Sequence, residues 1–177
     1  MLYCSEEIKI DDANHNIYPY QPFILGHLNV TPLSTSHDAK GNMAFLFQSK
    51  QESLLYMTDT GYVLQKNLNY MKDINYYIFE SNHDVEMLMA TRRPLFLKRR
   101  IYGDLGHLNN AYSAKIMCDV IGEHTKEIVL AHLSQEANTK EKALETYHQV
   151  FQENNISFSN IKVASQVNVV SGGNYED

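Results

Sequence analysis

Cysteine is scarce in this chain. Cys4 and Cys118 are the two present among 177 residues, far apart and with no Cys-x-x-Cys pair. That leaves no disulfide framework to read, and a reduced, cytosolic chain is the simpler expectation. Long apolar runs are absent too: no stretch reaches the roughly 18 residues that a membrane-spanning helix requires. Excess positive charge is missing as well. The formal net charge is −6, which excludes a strongly basic nucleic-acid binder. Any anionic substrate would have to be held by a local cationic patch or by metal. The N-terminal stretch carries Glu6, Glu7, Asp11 and Asp12, which argues against a secretory signal and for a cytoplasmic location. Internal repeats and low-complexity blocks are also lacking.

What is present suits one packed domain. Hydrophobic residues make up 44% of the chain, and its length leaves room for a sizeable core. Residues 1–20 are polar and read as a loop or as the tail of an element. From Pro22 onward the pattern sharpens. Short strands are expected at 23–25, 30–34, 44–48 and 53–58, and a buried strand at 76–80. Helical signals cover 64–72, 84–90 and an element from Pro94 to Tyr102. Asn109 or Asn110 caps a further helix to Ile121, with Gly122 just past its end. A strand at 127–131, a helix at 140–153 and a last strand at 161–165 follow. The helix at 140–153 places Ala143, Leu144, Tyr147, Val150 and Phe151 at helical spacing. The tail from Ser171 is expected to be mobile. Early strands joined by short turns, then strands alternating with helices, predict a layered α/β fold.

Histidines and carboxylates gather just after strands. His37-Asp38 follows the strand at 30–34, Asp59 follows 53–58, and His132 follows 127–131. Strand ends can bring such side chains together on one rim of a sheet. Imidazole and carboxylate suit Zn²⁺, Mn²⁺ or Fe²⁺, and such an ion makes hydroxide available at neutral pH. The bland reading is a set of caps and satisfied polar groups, since no dense His-x-x-His-type cluster exists. His83 lies in Glu80-Ser81-Asn82-His83-Asp84, where Asp84 could orient its ring. His107 precedes a helix and could act as a general acid or hold a phosphate there. Loop caps and cross-links are the alternative for both. Arg92, Arg93, Lys98, Arg99 and Arg100 put five of the fifteen cations into nine residues. They could hold a phosphate backbone. Alternatively they form a solvated face or pair with Glu86 and Asp104. His15, His27, His124 and His148 have no motif around them and read as surface or structural residues.

Six short strings then occur in a fixed order. They are Ser36-His37-Asp38-Ala39, Thr58-Asp59-Thr60-Gly61-Tyr62-Val63, Glu80-Ser81-Asn82-His83-Asp84-Val85-Glu86-Met87-Leu88, Leu97-Lys98-Arg99-Arg100-Ile101, Gly106-His107-Leu108 and Ala131-His132-Leu133-Ser134. Together they resemble the WalJ/YycJ-like branch of the metallo-β-lactamase-fold hydrolases. The resemblance runs from about residue 22 to about residue 155. It implies an α/β fold, the C-terminal two thirds of an αββα sandwich with a two-metal site at one edge. The implied organisation is a polar N-terminal segment at 1–21, a partial metallo-β-lactamase-like domain at 22–166 and a flexible tail at 167–177. By resemblance His37, Asp59 and His132 are metal ligands. The same resemblance implies that His107, His83 and Asp84 border the active site, and the basic residues from Arg92 to Arg100, read from their charge, would bind the substrate. The implied activity is that of a metal-dependent phosphodiesterase, with DNA as the expected substrate.

The family's first ligand motif, His-x-His-x-Asp-His, does not occur in these residues, and Asn14-His15-Asn16 is no substitute. A shortened sequence, a missing half on a separate chain and a remnant without catalysis are three open explanations. Half a sandwich would expose the inner face of its sheet, so an oligomer, a chain supplying the missing half, or poor solubility is expected. A non-catalytic interaction or regulatory module with the same architecture is the alternative function.

Overall fold

The computed structural model describes residues 3–5 and 15–173, with side chains from Asn16 onward. Cys4, His15 and the last residues of the expected tail, 174–177, therefore lie outside the described side chains. Two short strands, β1 (Tyr3–Ser5) and β2 (His15–Ile17), pair in parallel within the stretch that reads as a loop or the tail of an element.

The main body is a sheet of seven strands in sequence order. These are β3 (Phe23–Leu25), β4 (Leu28–Ser34), β5 (Met43–Gln48), β6 (Ser53–Met57), β7 (Tyr76–Glu80), β8 (Glu127–Ala131) and β9 (Ile161–Val163). Neighbours from β3 to β6 are antiparallel, as short turns allow. From β6 to β9 they are parallel, and each crossover carries a helix. The helices are α1 (Gln65–Met71), α2 (Val85–Ala90), α3 (Leu95–Tyr102), α4 (Asn110–Val120) and α5 (Lys140–Glu153).

Alternation along the strands divides the sheet into two faces. Leu33, Leu46, Leu55, Met57, Tyr77, Phe79, Ile128 and Leu130 are buried on one face, beneath α1, α4 and α5. The helices bring Met71, Ala114, Met117, Ala143, Tyr147 and Phe151 to the same core. Asn109 caps α4 by accepting from the Tyr112 N–H, and Thr139 caps α5 by accepting from the Lys142 N–H. A smaller cluster of Leu88, Ile101 and Ala137 joins α2 and α3 to the loop after β8. Among the described residues no helix is long and apolar enough to cross a membrane.

Candidate metal centre

Three adjacent parallel strands end side by side. Register pairs Met57 with Phe79, Phe79 with Leu130, and Glu80 with Ala131. The next residues along the chain therefore meet at the carboxyl edge of the sheet. Asp59 comes from β6, Glu80 is the last residue of β7, and His132 follows β8. Open α/β sheets hold ligands at this edge. Asp59 and His132 both take the left-handed backbone conformation, with φ of 56° and 60°. Non-glycine residues rarely adopt it, and such outliers concentrate at functional sites.

His107 and His37 reach the same place from loops. The loop before α4 is pinned by the His107 N–H on the Ile101 carbonyl at 2.9 Å and the Asn82 N–H on the Leu108 carbonyl at 2.9 Å. The His37 Nδ1 lies 3.0 Å from the Gly106 carbonyl, and the Ser36 hydroxyl donates to the Asp104 carbonyl at 2.8 Å. Two glycines permit this close approach. A Cβ on Gly61 would lie 2.2 Å from the Asp104 carbonyl oxygen, and one on Gly106 equally close to the carbonyls of Arg100 and Ile101. Either contact is backbone against backbone, so no side-chain rotation relieves it.

Glu80 organises the group. Its carboxylate is fully buried. Oε1 lies 2.8 Å from the Nδ1 of both His107 and His132, and Oε2 accepts the Thr60 N–H at 2.8 Å. Burial pushes this carboxyl up, but the two imidazoles and the Thr60 N–H outweigh it and hold the group below its usual value. The same bond raises His132, against the effect of burial. With each Nδ1 held by a carboxylate, the Nε2 of each ring is left for other work. Asp59 Oδ1 stands 3.7 Å from His37 Nε2, 3.7 Å from His132 Nδ1 and 3.9 Å from His107 Nδ1. Ring centroids of His37 and His107, and of His107 and His132, are 5.0 Å apart.

A buried polar network supports Glu80 from beneath. Ser113 donates its hydroxyl to the Glu80 carbonyl and contacts the Tyr147 hydroxyl at 2.6 Å. Ser81 donates to Asn110 at 2.7 Å, and the Asn138 amide reaches the Ser81 and Asn82 carbonyls. The Asn82 amide in turn holds the His132 carbonyl at 2.7 Å. These bonds fix the end of β7 to α4 and α5, which is how a loop histidine keeps a fixed position.

The other expected residues sit differently. His83 is fully buried, its Nδ1 3.4 Å from Asn82 Oδ1 and its Nε2 without a partner among the described residues. Burial lowers its pKa to about 4. Asp84 does not orient that ring; its carboxylate caps α2 by accepting from the Met87 N–H at 2.9 Å. The basic stretch does not pair with Glu86 or Asp104. Arg100 instead donates to Asp38 at 2.5 Å, and Arg93 to Glu136 at 3.1 Å. The Arg100 bond holds Asp38 below its usual value. Lys98 donates to the Met89 carbonyl. Glu80 is the group that sequence reading passed over as a site residue. Its signal was a carboxylate closing an otherwise apolar strand.

The donor chemistry fits a divalent cation. Asp59, Glu80, His107 and His132 each offer an atom within 4.8 Å of the others. Glu80 already holds the two imidazoles, which leaves Asp59, His107 and His132 as the groups of this cluster that could hold an ion, with His37 Nε2 3.7 Å from Asp59.

The helix-backed sheet and this strand-end cluster define a metallo-β-lactamase-fold protein. The structure of YhfI from Bacillus subtilis, a protein of that fold, superposes with a TM-score of 0.62 at 18% identity, covering 85% of this chain and 51% of that one. Within the class, the chain is related in sequence to the YycJ and WalJ exodeoxyribonucleases. It is 44% identical to Bacillus anthracis YycJ over 128 residues, which is 72% of this chain and 48% of that protein. Identity to Streptococcus pneumoniae WalJ is 36% over 136 residues, 76% of this chain and 51% of that protein. The chain spans about half the length of the curated relatives it matches. No protein-family model matches it.

Proposed function

We infer that this chain forms part of a metal-dependent phosphodiester hydrolase acting on DNA. The observation that carries the reading is the convergence of Asp59, His107 and His132 around one buried carboxylate, Glu80, at the carboxyl edge of three parallel strands. The relatives named exodeoxyribonucleases support the choice of substrate.

Asp59, His132 and His37 would hold a Zn²⁺, Mn²⁺ or Fe²⁺ ion, which supplies Lewis acidity toward the phosphate and lowers the pKa of water. Further ligands would come from water, substrate or another polypeptide. The chain's own residues do the rest. Glu80 fixes the tautomer and tilt of both imidazoles. His107 presents its Nε2 to the leaving oxygen and gives up the proton there, while Glu80 steadies the Nδ1 proton. His83, buried and neutral, backs the site from the loop after β7. Arg92, Arg93, Lys98, Arg99 and Arg100 guide the backbone toward it. The scarcity of cysteine favours a cytoplasmic setting.

Hydrolysis of end-labelled DNA with added Mn²⁺ or Zn²⁺ tests the reading. His107→Ala is expected to lower turnover about 100-fold or more, the usual contribution of a positioned general acid. Unchanged turnover would remove His107 from the reaction. A non-catalytic interaction module is the second reading, favoured by the exposed side chains, Tyr56 among them, on one face of the sheet. Metal-independent absence of hydrolysis alongside intact folding would select it.

A further inference from the structure

Helix α3 carries an exposed aromatic ring among arginines, and nothing in the proposed chemistry uses that ring. Phe96 is 74% exposed, with Leu95 at 58% beside it and Tyr102 at 52% at the far end of the helix. Leu105, in the loop that follows, is 57% exposed. One exposed ring would need no explanation, but four large apolar side chains on one short helix and the loop after it are the kind of surface that marks a binding site. Arg99 and Arg100 follow Phe96 by three and four residues, one helical turn on the same side. Arg92 and Arg93 stand just ahead of Pro94, the N-cap. Arg93 and Arg100 are engaged with Glu136 and Asp38. Arg92 and Arg99 are exposed and form no ion pair among the described residues.

This surface is continuous with the candidate metal centre. Arg100 grips Asp38, the neighbour of His37. The Ile101 carbonyl of α3 accepts the His107 N–H. The Tyr102 ring lies 6.2 Å from the His83 ring. In a chain of net charge −6, a cationic element at the rim of the site is matched to a polyanion. Arginines alone would serve any phosphate backbone. Among nucleic acids, an exposed ring flanked by them gains from an unstacked base, because a duplex hides its base faces except at its ends.

We propose that α3 is a stacking platform for the unpaired end of a nucleic-acid strand: Phe96 receives a base face, and Arg92 and Arg99 hold the flanking phosphates. The proposal rests on the reading of the site as one for phosphodiesters.

The test is fluorescence anisotropy on the full chain, with labelled oligo-dT and a labelled blunt hairpin, in EDTA so that nothing is cleaved. Phe96→Ala is expected to weaken oligo-dT binding about fivefold or more, and to leave its salt slope unchanged. Hairpin binding should stay within about twofold, and Phe96→Trp should restore oligo-dT affinity. Arg99→Gln should instead lower the single-strand salt slope by about 0.7. Circular dichroism melting confirms that the exposed variants fold. Wild-type affinity for oligo-dT in Phe96→Ala overturns the platform. An equal loss for oligo-dT and hairpin overturns the preference for unpaired strands. Phe96-dependent binding to anionic phospholipid vesicles, without such dependence on DNA, makes the patch a membrane contact and overturns the proposal. Wild-type chain that binds neither DNA overturns it as well, and takes the DNA reading of the site with it.

Discussion

The two faces of the central sheet are made by alternate residues of the same strands, yet one is closed and the other is open. Phe79 and Leu130 point into the core under the helices and are fully buried. On the opposite face a stripe runs across the register pairs Phe45–Tyr56, Tyr56–Ile78 and Ile78–Val129. Those residues are partly or largely exposed, and Tyr56 is 41% exposed. A groove of about 820 Å³ lies on this side, bordered by Phe47, Leu54, Tyr76, Ile78, Asn168 and Val170. A sheet buries an apolar face by packing it on another layer. Among the described residues the helical layer is present on one face, while the other carries the side chains of a buried face without such a layer.

Substitutions at the two faces should therefore differ sharply. Phe79→Ala on the closed face is expected to cost about 3–5 kcal/mol in urea unfolding. Tyr56→Ser on the open face should change stability by about 0.5 kcal/mol or less. Similar losses at both positions would mean that the open face is covered in solution.

The next effect concerns pH. His83 is held neutral, with its pKa lowered by burial from 6.5 to about 4. Between those values the unfolded chain binds the proton and the folded chain does not. Stability should then rise with pH through that window by about 3 kcal/mol and be lost as pH falls. Chemical denaturation from pH 4 to 7 on wild type and His83→Gln checks this: the rise should flatten in the variant. A smaller effect, about 1–3 kcal/mol, is expected for Ser113→Ala, which strands the Tyr147 hydroxyl and the Glu80 carbonyl in the core. A loss below that range would mean the network beneath Glu80 is not what holds β7 to α4 and α5.

The sheet and the main helices were legible because their signals are local. Tyr76–Glu80 and Glu127–Ala131 are apolar runs bounded by polar residues, and Asn109 caps α4 as its position suggests. The pairing of β1 with β2 was not legible, since those strands carry no apolar alternation. Within the site, Asp59 and His132 stood out as polar residues at strand ends. Glu80 did not, because its role depends on two histidines 27 and 52 residues away. The partners of Arg93 and Arg100 are distant for the same reason: spacing suggests Glu86 and Asp104, while the fold brings Glu136 and Asp38. Asp84 reads equally well as a ring partner or a helix cap, and the start of α2 decides for the cap.

Everything proposed for the strand-end cluster depends on its holding a divalent ion. Elemental mass spectrometry of the purified chain, wild type against His132→Ala, decides this. About one or more equivalents of Zn, Mn or Fe in wild type, lost in the variant, is the predicted result. Folded wild-type chain that retains no metal after incubation with each ion would mean that the cluster is not a metal site.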